Sequence, residues 1–294
     1  MTNSADIHAT ITNQLIAAIE RDPGRVTLPW RRAAGGLHLP VNAATKQSYN
    51  GINILSLWVA ADSLGYATPQ WATYRQWLSL GGQVRKGEKA SSIVFYKEFE
   101  VETEADSDDD GKRRMARASS VFNAAQVDGI EISSGDDLPD LGPVERLRRA
   151  DEVVRSTGAS ILHGGDRAYF SPKLDRIQMP DEKLFTGSET MTRTEGYYAT
   201  LLHELVHWTG GEPRLNRQMG KRFGDQAYAA EELVAEIGAA FLCAELGVTP
   251  ELRDDHARYI ADWLKLLKSG AKAIFTAAAR ASEAAKFLKA KAPA

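Results

Sequence analysis

The pentapeptide His203-Glu204-Leu205-Val206-His207 constrains this chain more than any other stretch. It sits in TEGYYATLLHELVHWTGG, where neither Pro nor Gly interrupts Tyr197 to Thr209 and Gly210-Gly211 supplies a stop. The pattern predicts a helix over about 192–209. On a helix, positions i and i+4 share a face. His203 and His207 can then offer two imidazole nitrogens to a single metal ion. Glu204, one residue on, lies beside that ion, where its carboxylate can take a proton from water. Two such histidines could instead be core side chains with satisfied hydrogen bonds. The spacing, the glutamate between them and the apolar flanks Leu201, Leu202, Leu205 and Val206 argue for a metal site.

A catalytic zinc needs a third protein ligand and an open position. Downstream, AAEELVAEI carries Glu232 and Glu236, again at i and i+4 of a predicted helix over 226–246. This resembles the thermolysin-like zincin (gluzincin) arrangement, whose third ligand is a Glu on the following helix. That arrangement makes Glu232 the ligand and Glu236 the acid that orients His203 or His207. Glu231 is expected to face elsewhere. No third histidine follows at metzincin spacing, and His256 is expected on a surface helix. Zn²⁺ suits a His/His/Glu set, and Mn²⁺ or another divalent ion can also occupy one. For the oxyanion of peptide hydrolysis, Tyr197, Tyr198, Arg214 and Tyr228 are all available. Tyr228 is the candidate carried forward, and Tyr197 and Tyr198 can equally pack against a neighbouring hairpin.

The rest of the chain sets the context. Its 294 residues allow two ordinary domains, and 43% apolar residues suffice for real cores. A single cysteine, Cys243, excludes disulfide scaffolds and cysteine-built zinc sites. No apolar run reaches the ~18 residues of a membrane span, and the N-terminus lacks the features of a secretory leader. The expectation is a cytoplasmic protein with no membrane partner.

Charge is unevenly spread. Between Arg21 and Lys97 ten basic residues face three acids, whereas Glu98 to Asp110 holds eight acids and no base. The basic segment is interleaved with aromatics: Trp30-Arg31-Arg32, Lys46 with Tyr49-Asn50, Trp71 with Tyr74-Arg75, then Arg85, Lys86 and Lys89. Cationic side chains that track phosphates, alternating with rings that stack on bases, are what sequence-tolerant binding of single strands requires. Trp58 and Trp77 belong more naturally to a core, and a solvated charged face is the plainer reading of the basic residues.

Periodicity predicts helices over 6–21, 52–64, 70–80 and 144–157, then 192–209, 226–246, 253–268 and 271–290. Strands are expected at 92–96, 99–102 and 120–123, and a hairpin within 160–180. EADSDDDGKRRMAR, 104–117, is expected to be an exposed loop or hairpin tip. Residues 131–143, rich in acids and turn formers, are expected to link domains 1–130 and 144–294. The predicted fold class is α+β: an N-terminal α+β single-stranded-DNA-binding domain, then a mostly helical metallopeptidase domain with a small sheet.

Longer segments add a resemblance. PWRR at 29–32, SYNGINILSLW at 48–58, TPQWATYRQW…GGQVRKGEKA over 68–90, YYATLLHELVHWTG at 197–210 and EELVAEIGAAFL at 231–242 resemble ArdC-type antirestriction proteins of conjugative plasmids. The resemblance implies a single-stranded-DNA-binding N-terminal domain and a zincin-like metallopeptidase C-terminal domain. It also implies a role in protecting incoming plasmid DNA from restriction, with a protein substrate still to be identified. Two other functions fit the same residues. One is a DNA-coating protein with a structural or idle metal, the other a DNA-sensing protease that cleaves a regulatory protein.

Overall fold

The computed structural model describes residues 4–20, 38–100, 112–130, 143–185, 191–217, 226–248, 257–270 and 272–292. The fold is α+β with two domains, as the residue pattern predicts.

The N-terminal half opens with α1 (Ser4–Glu20), where Ile7, Ile11, Leu15, Ala18 and Ile19 recur at helical spacing and are all buried. The next helix, α2 (Ile52–Leu64), is buried all round from Ile52 to Val59 and ends at Gly65 in the left-handed region (φ 70°). A helix buried on every side must be sandwiched, and its polar Asn53 and Ser56 bond the backbone of the neighbouring strand at Val94 and Ser92. Ile54, Leu55 and Trp58 point into a core shared with the C-terminal helices, while Leu57 packs with Trp71, Ile93 and Val121 beneath a sheet. That sheet runs in the order β1 (Val41–Asn42), β2 (Gln70–Ala72), β5 (Lys112–Asn123), β4 (Ser91–Glu100). Only β1 and β2 pair in parallel. A short antiparallel pair, β3 (Gln83–Val84) and β6 (Val127–Asp128), lies beside α3 (Tyr74–Ser79).

The C-terminal half begins with α4 (Pro143–Thr157) and a three-stranded sheet in the order β7 (Ser160–His163), β9 (Arg176–Met179), β8 (Tyr169–Ser171). The sheet lies against α5 (Arg193–Thr209), which crosses α6 (Gln226–Leu246). The last helices, α7 (Ala257–Ser269) and α8 (Lys272–Lys289), close the core. No described helix is long and apolar enough to cross a membrane.

Four expectations change. The helix expected over 70–80 is split: Gln70–Ala72 is strand, because Thr73 caps a helix that starts only at Tyr74. The Thr73 hydroxyl accepts from the Gln76 N–H (3.3 Å), and the Gln76 side chain accepts from the Thr73 N–H (2.9 Å). The strands expected at 92–96 and 99–102 form one strand up to Glu100. The basic end of 104–117 is the start of β5, since Lys112–Arg117 pair across to Phe95–Glu100. The hairpin expected in 160–180 is β8–β9 alone, and β7 joins β9 in parallel. Residues 101–111, most of the linker at 131–142, and His256 lie outside the described residues.

Candidate metal centre

Helix α5 is fixed at its start by a capping box: Thr192 accepts from the Glu195 N–H (3.2 Å), and the Glu195 carboxylate accepts from the Thr192 N–H (2.9 Å). From Thr200 to Thr209 the helix is buried. It can approach α6 closely because α6 carries Gly238 at the crossing. A Cβ there would lie 2.9 and 3.0 Å from the two methyls of Val206. This crossing brings Glu236, half a turn earlier on α6, and Glu231 and Glu232, about two turns earlier, over the two histidines.

Three donors converge. The Nε2 atoms of His203 and His207 are 3.2 Å apart, and the two oxygens of Glu232 lie 3.6 Å from one and 3.6 Å from the other. All three side chains are buried. A tetrahedral ion with bonds of ~2.0–2.1 Å separates its donors by about 3.3–3.4 Å. The triangle is therefore sized for a divalent ion, and its donor chemistry fits one.

Each imidazole turns its other nitrogen toward a carboxylate. His203 Nδ1 lies 3.7 Å from Glu236, and His207 Nδ1 lies 3.4 Å from Glu231. A proton held at Nδ1 leaves the Nε2 lone pair for a metal. Glu231 therefore does not face elsewhere: it backs His207 and is gripped by Arg217 through Nε (3.0 Å) and Nη2 (2.7 Å). Arg217 also donates to the Val206 carbonyl (2.6 Å) and to the Thr209 hydroxyl (2.8 Å). Sequence reasoning missed this Arg217–Glu231 brace, for which adjacency of Glu231 to Glu232 was the only available signal.

Electrostatics follow from this crowding. Burial favours neutral imidazoles, but the Glu232 charge and the bonds to Glu231 and Glu232 outweigh it and push His207 up to about 10. Burial likewise opposes ionised Glu232, yet the His207 charge and its bonds to both histidines hold it below the usual carboxylate range. The site favours a cation, and protons compete with a metal for it. Glu204, buried on the next position of α5, is near enough for its charge to raise both imidazoles.

The oxyanion candidates separate. Arg214 lies 4.0 Å over the Trp208 ring and holds Asp175 in a bidentate pair, lowering the Asp175 pKa. Tyr197 meets His163 Nε2 at 2.9 Å, and Tyr198 donates to Asp151 at 3.4 Å, its pKa pushed up to about 12 by burial and that acid. Tyr228 is half-buried on α6, one turn before Glu232 and on the same face.

The sequence-predicted DNA contacts are only partly brought to a surface. Lys46, Asn50, Tyr74, Arg75, Lys86 and Lys89 are exposed. Tyr49 is half-buried, its hydroxyl accepting from Asn42 (3.2 Å). Arg85 is exposed but tied to Glu88 (2.8 Å) and Asp128 (3.3 Å). Trp71 is 1% exposed and packs against Tyr66, so it has no face left to stack on a base. It is a core residue because the strand break at Thr73 turns it inward. Trp30, Arg31 and Arg32 lie outside the described residues. Trp58 and Trp77 are core, as expected. A ring the sequence reading passed over, Phe95, is 51% exposed and pairs across the β4–β5 ladder with exposed Arg117.

Two family models match the chain. Residues 5–126 match the N-terminal domain of anti-restriction factor ArdC, and residues 148–280 match a zincin-like metallopeptidase domain. The chain is 38% identical to the antirestriction protein ArdC of plasmid R388 over 97% of both chains. The TM-score is 0.79 with its metal-free crystal structure and 0.77 with its Mn(II)-bound one, which the chain covers to 98%. It is 42% identical to protein y4eC of Sinorhizobium fredii over 97% of this chain and 92% of that protein. It is also 35% identical to the DNA primase TraC of Escherichia coli over 96% of its own length, but spans only 27% of that protein. The chain belongs to the ArdC antirestriction family and carries that family's zincin-like domain.

Proposed function

We infer that this chain is a plasmid antirestriction protein acting in the cytoplasm. It binds single-stranded DNA with little sequence preference through its N-terminal half. It hydrolyses a peptide bond in a protein substrate at a zinc site in its C-terminal half, and it shields incoming conjugative DNA from host restriction. The observation that supports the peptidase most is the convergence of His203, His207 and Glu232, each imidazole backed by its own carboxylate.

In this reading His203, His207 and Glu232 hold the divalent ion. The ion, when bound, supplies Lewis acidity and lowers the pKa of water beside it from ~16 toward ~7. Glu204 accepts the proton of the attacking water and returns it to the departing amine. Tyr228 donates to the oxygen on which negative charge develops. The idle-metal alternative gives Glu204, buried beside the two histidines, no chemical task.

Replacing Glu204 by Gln tests the assignment. Peptide hydrolysis should fall by ~10²–10⁴-fold while metal content and DNA affinity stay at the wild-type level. Unchanged hydrolysis would remove Glu204 from the mechanism. Unchanged protection of incoming DNA would mean that proteolysis is not needed for it. Titration of matched single-stranded and duplex oligonucleotides tests the other half: equal affinity for both would end the single-strand reading.

A further inference from the structure

Between the two halves lies a cleft of about 970 Å³ that the metal site does not use. One wall is α8, whose Lys272, Arg280, Glu283 and Lys286 line it. The other is the start of α2, with Asn50 and Gly51, and the β4–β5 ribbon. The walls are pinned together by the Gly51 N–H, which donates to the Ser282 hydroxyl at 2.9 Å.

The charge of this cleft is arranged for an anion. Lys272, Arg280 and Lys286 fall within one face of α8, and all three are exposed. Among the described residues none of them makes an ion pair. Nearby, Lys289 is neutralised by Glu245 and Lys268 by Glu20, both at 2.6 Å. Glu283 offsets one of the three cations. The N-terminus of α2, where Gly51 supplies no side-chain cap, opens on the same space and adds its partial positive charge. From Lys272 to Lys286 the helix rises about 21 Å, which matches a run of consecutive phosphates and exceeds any single phosphate group. Asn50, read from the sequence as a DNA contact, lines the same cleft.

We propose that this cleft carries part of the single strand, with Lys272, Arg280 and Lys286 of the peptidase half contacting its phosphates. The site thus extends the DNA path off the N-terminal domain, and it rests on the reading that the protein binds single strands. The partner is a phosphodiester backbone, recognised by charge and spacing rather than by base.

The test uses the full chain and a labelled oligothymidine of about twenty nucleotides, longer than the ~4–16 covered by common single-strand modules, followed by anisotropy across a salt series. Replacing Lys272, Arg280 and Lys286 together by Gln should weaken binding about tenfold or more at low salt. It should also reduce the slope of log K against log salt by about two, since each single-strand phosphate contact contributes ~0.7. Replacing Lys265, Lys289 and Lys291, outside the cleft, should leave both unchanged. Glu283→Lys should tighten binding severalfold and steepen the slope, a gain that misfolding cannot imitate. Wild-type affinity and slope in both the triple variant and Glu283→Lys would overturn the cleft while leaving single-strand binding intact. Failure of the wild-type protein itself to bind the strand would overturn both.

Discussion

At the scale of single residues, Arg217 is the side chain on which the metal centre most depends without touching a metal. It neutralises Glu231, and Glu231 in turn holds Nδ1 of His207. Replacing Arg217 by Met leaves a buried carboxylate beside the site without its partner. A cost of ~3–5 kcal/mol in stability is expected. Loss of His207 orientation should also weaken metal affinity by ~10–100-fold. Competition of the variant against a chelating dye checks this, and wild-type affinity would strip Glu231 of its orienting role. Adding Glu231→Gln should recover part of the stability but not the affinity. The aromatics of the N-terminal half give a second contrast. Tyr74→Ala should cost ~1–3 kcal/mol of single-strand binding with little change in stability. Trp71→Ala should instead cost ~3–5 kcal/mol of stability, read by urea denaturation. Both residues look alike in a sequence that interleaves rings with bases. What divides them is a strand-to-helix break at Thr73, visible only once its capping partner Gln76 is in place. His203, Glu204, His207, Glu232 and Glu236 were legible because helical spacing is local and repeats. Arg217 was not, because it lies fourteen residues before Glu231 and shares no helical period with it.

Between elements, the α5–α6 crossing sets the geometry of the centre. Gly238 has no Cβ, and Val206, β-branched and stiff at χ1, fills the space. Gly238→Ala would gain up to ~1 kcal/mol in helix propensity, but the added methyl meets a neighbour that cannot swing aside. Overpacking of this kind costs ~1–3 kcal/mol, so the net effect should be destabilising. It should also lift Glu232 from the histidines and weaken metal binding. Val206→Ala in the same chain should restore the metal affinity. If Gly238→Ala alone binds metal as tightly as wild type, the close crossing is not what seats Glu232. The helices α5, α6 and α8 were readable from periodicity with near-correct ends. The sheet pairing was not, since β7 joins β9 in parallel across an intervening strand, a non-local choice that alternation alone does not encode.

For the whole molecule, the two domains share one core. Ile54, Leu55 and Trp58 of α2 and the apolar stripe of α1 sit in the same cluster as Phe241, Trp263 and Phe275 of the C-terminal half. Trp58 lies 5.7 Å from the Phe241 ring, its indole N–H donating to the His38 carbonyl. Composition and charge suggested separable halves, because each carries its own chemistry. Burial couples them, because an α2 that is buried all round from Ile52 to Val59 needs cover on both sides. Unfolding is therefore expected as one cooperative transition for both halves. A metal that binds only the folded C-terminal half would then stabilise the N-terminal half as well, by ~2.7 kcal/mol at a hundred times its Kd. Thermal denaturation followed through Trp fluorescence and through loss of single-strand binding checks this, with and without zinc. Coincident transitions that both move upward with metal are the expected outcome. A DNA-binding transition that stays in place while the other shifts would show that the shared core does not couple them. The same argument predicts that a chain cut near residue 130 exposes the inner face of α2. Such a fragment should be less stable and more prone to aggregate than the intact protein, even where its own sheet is preserved.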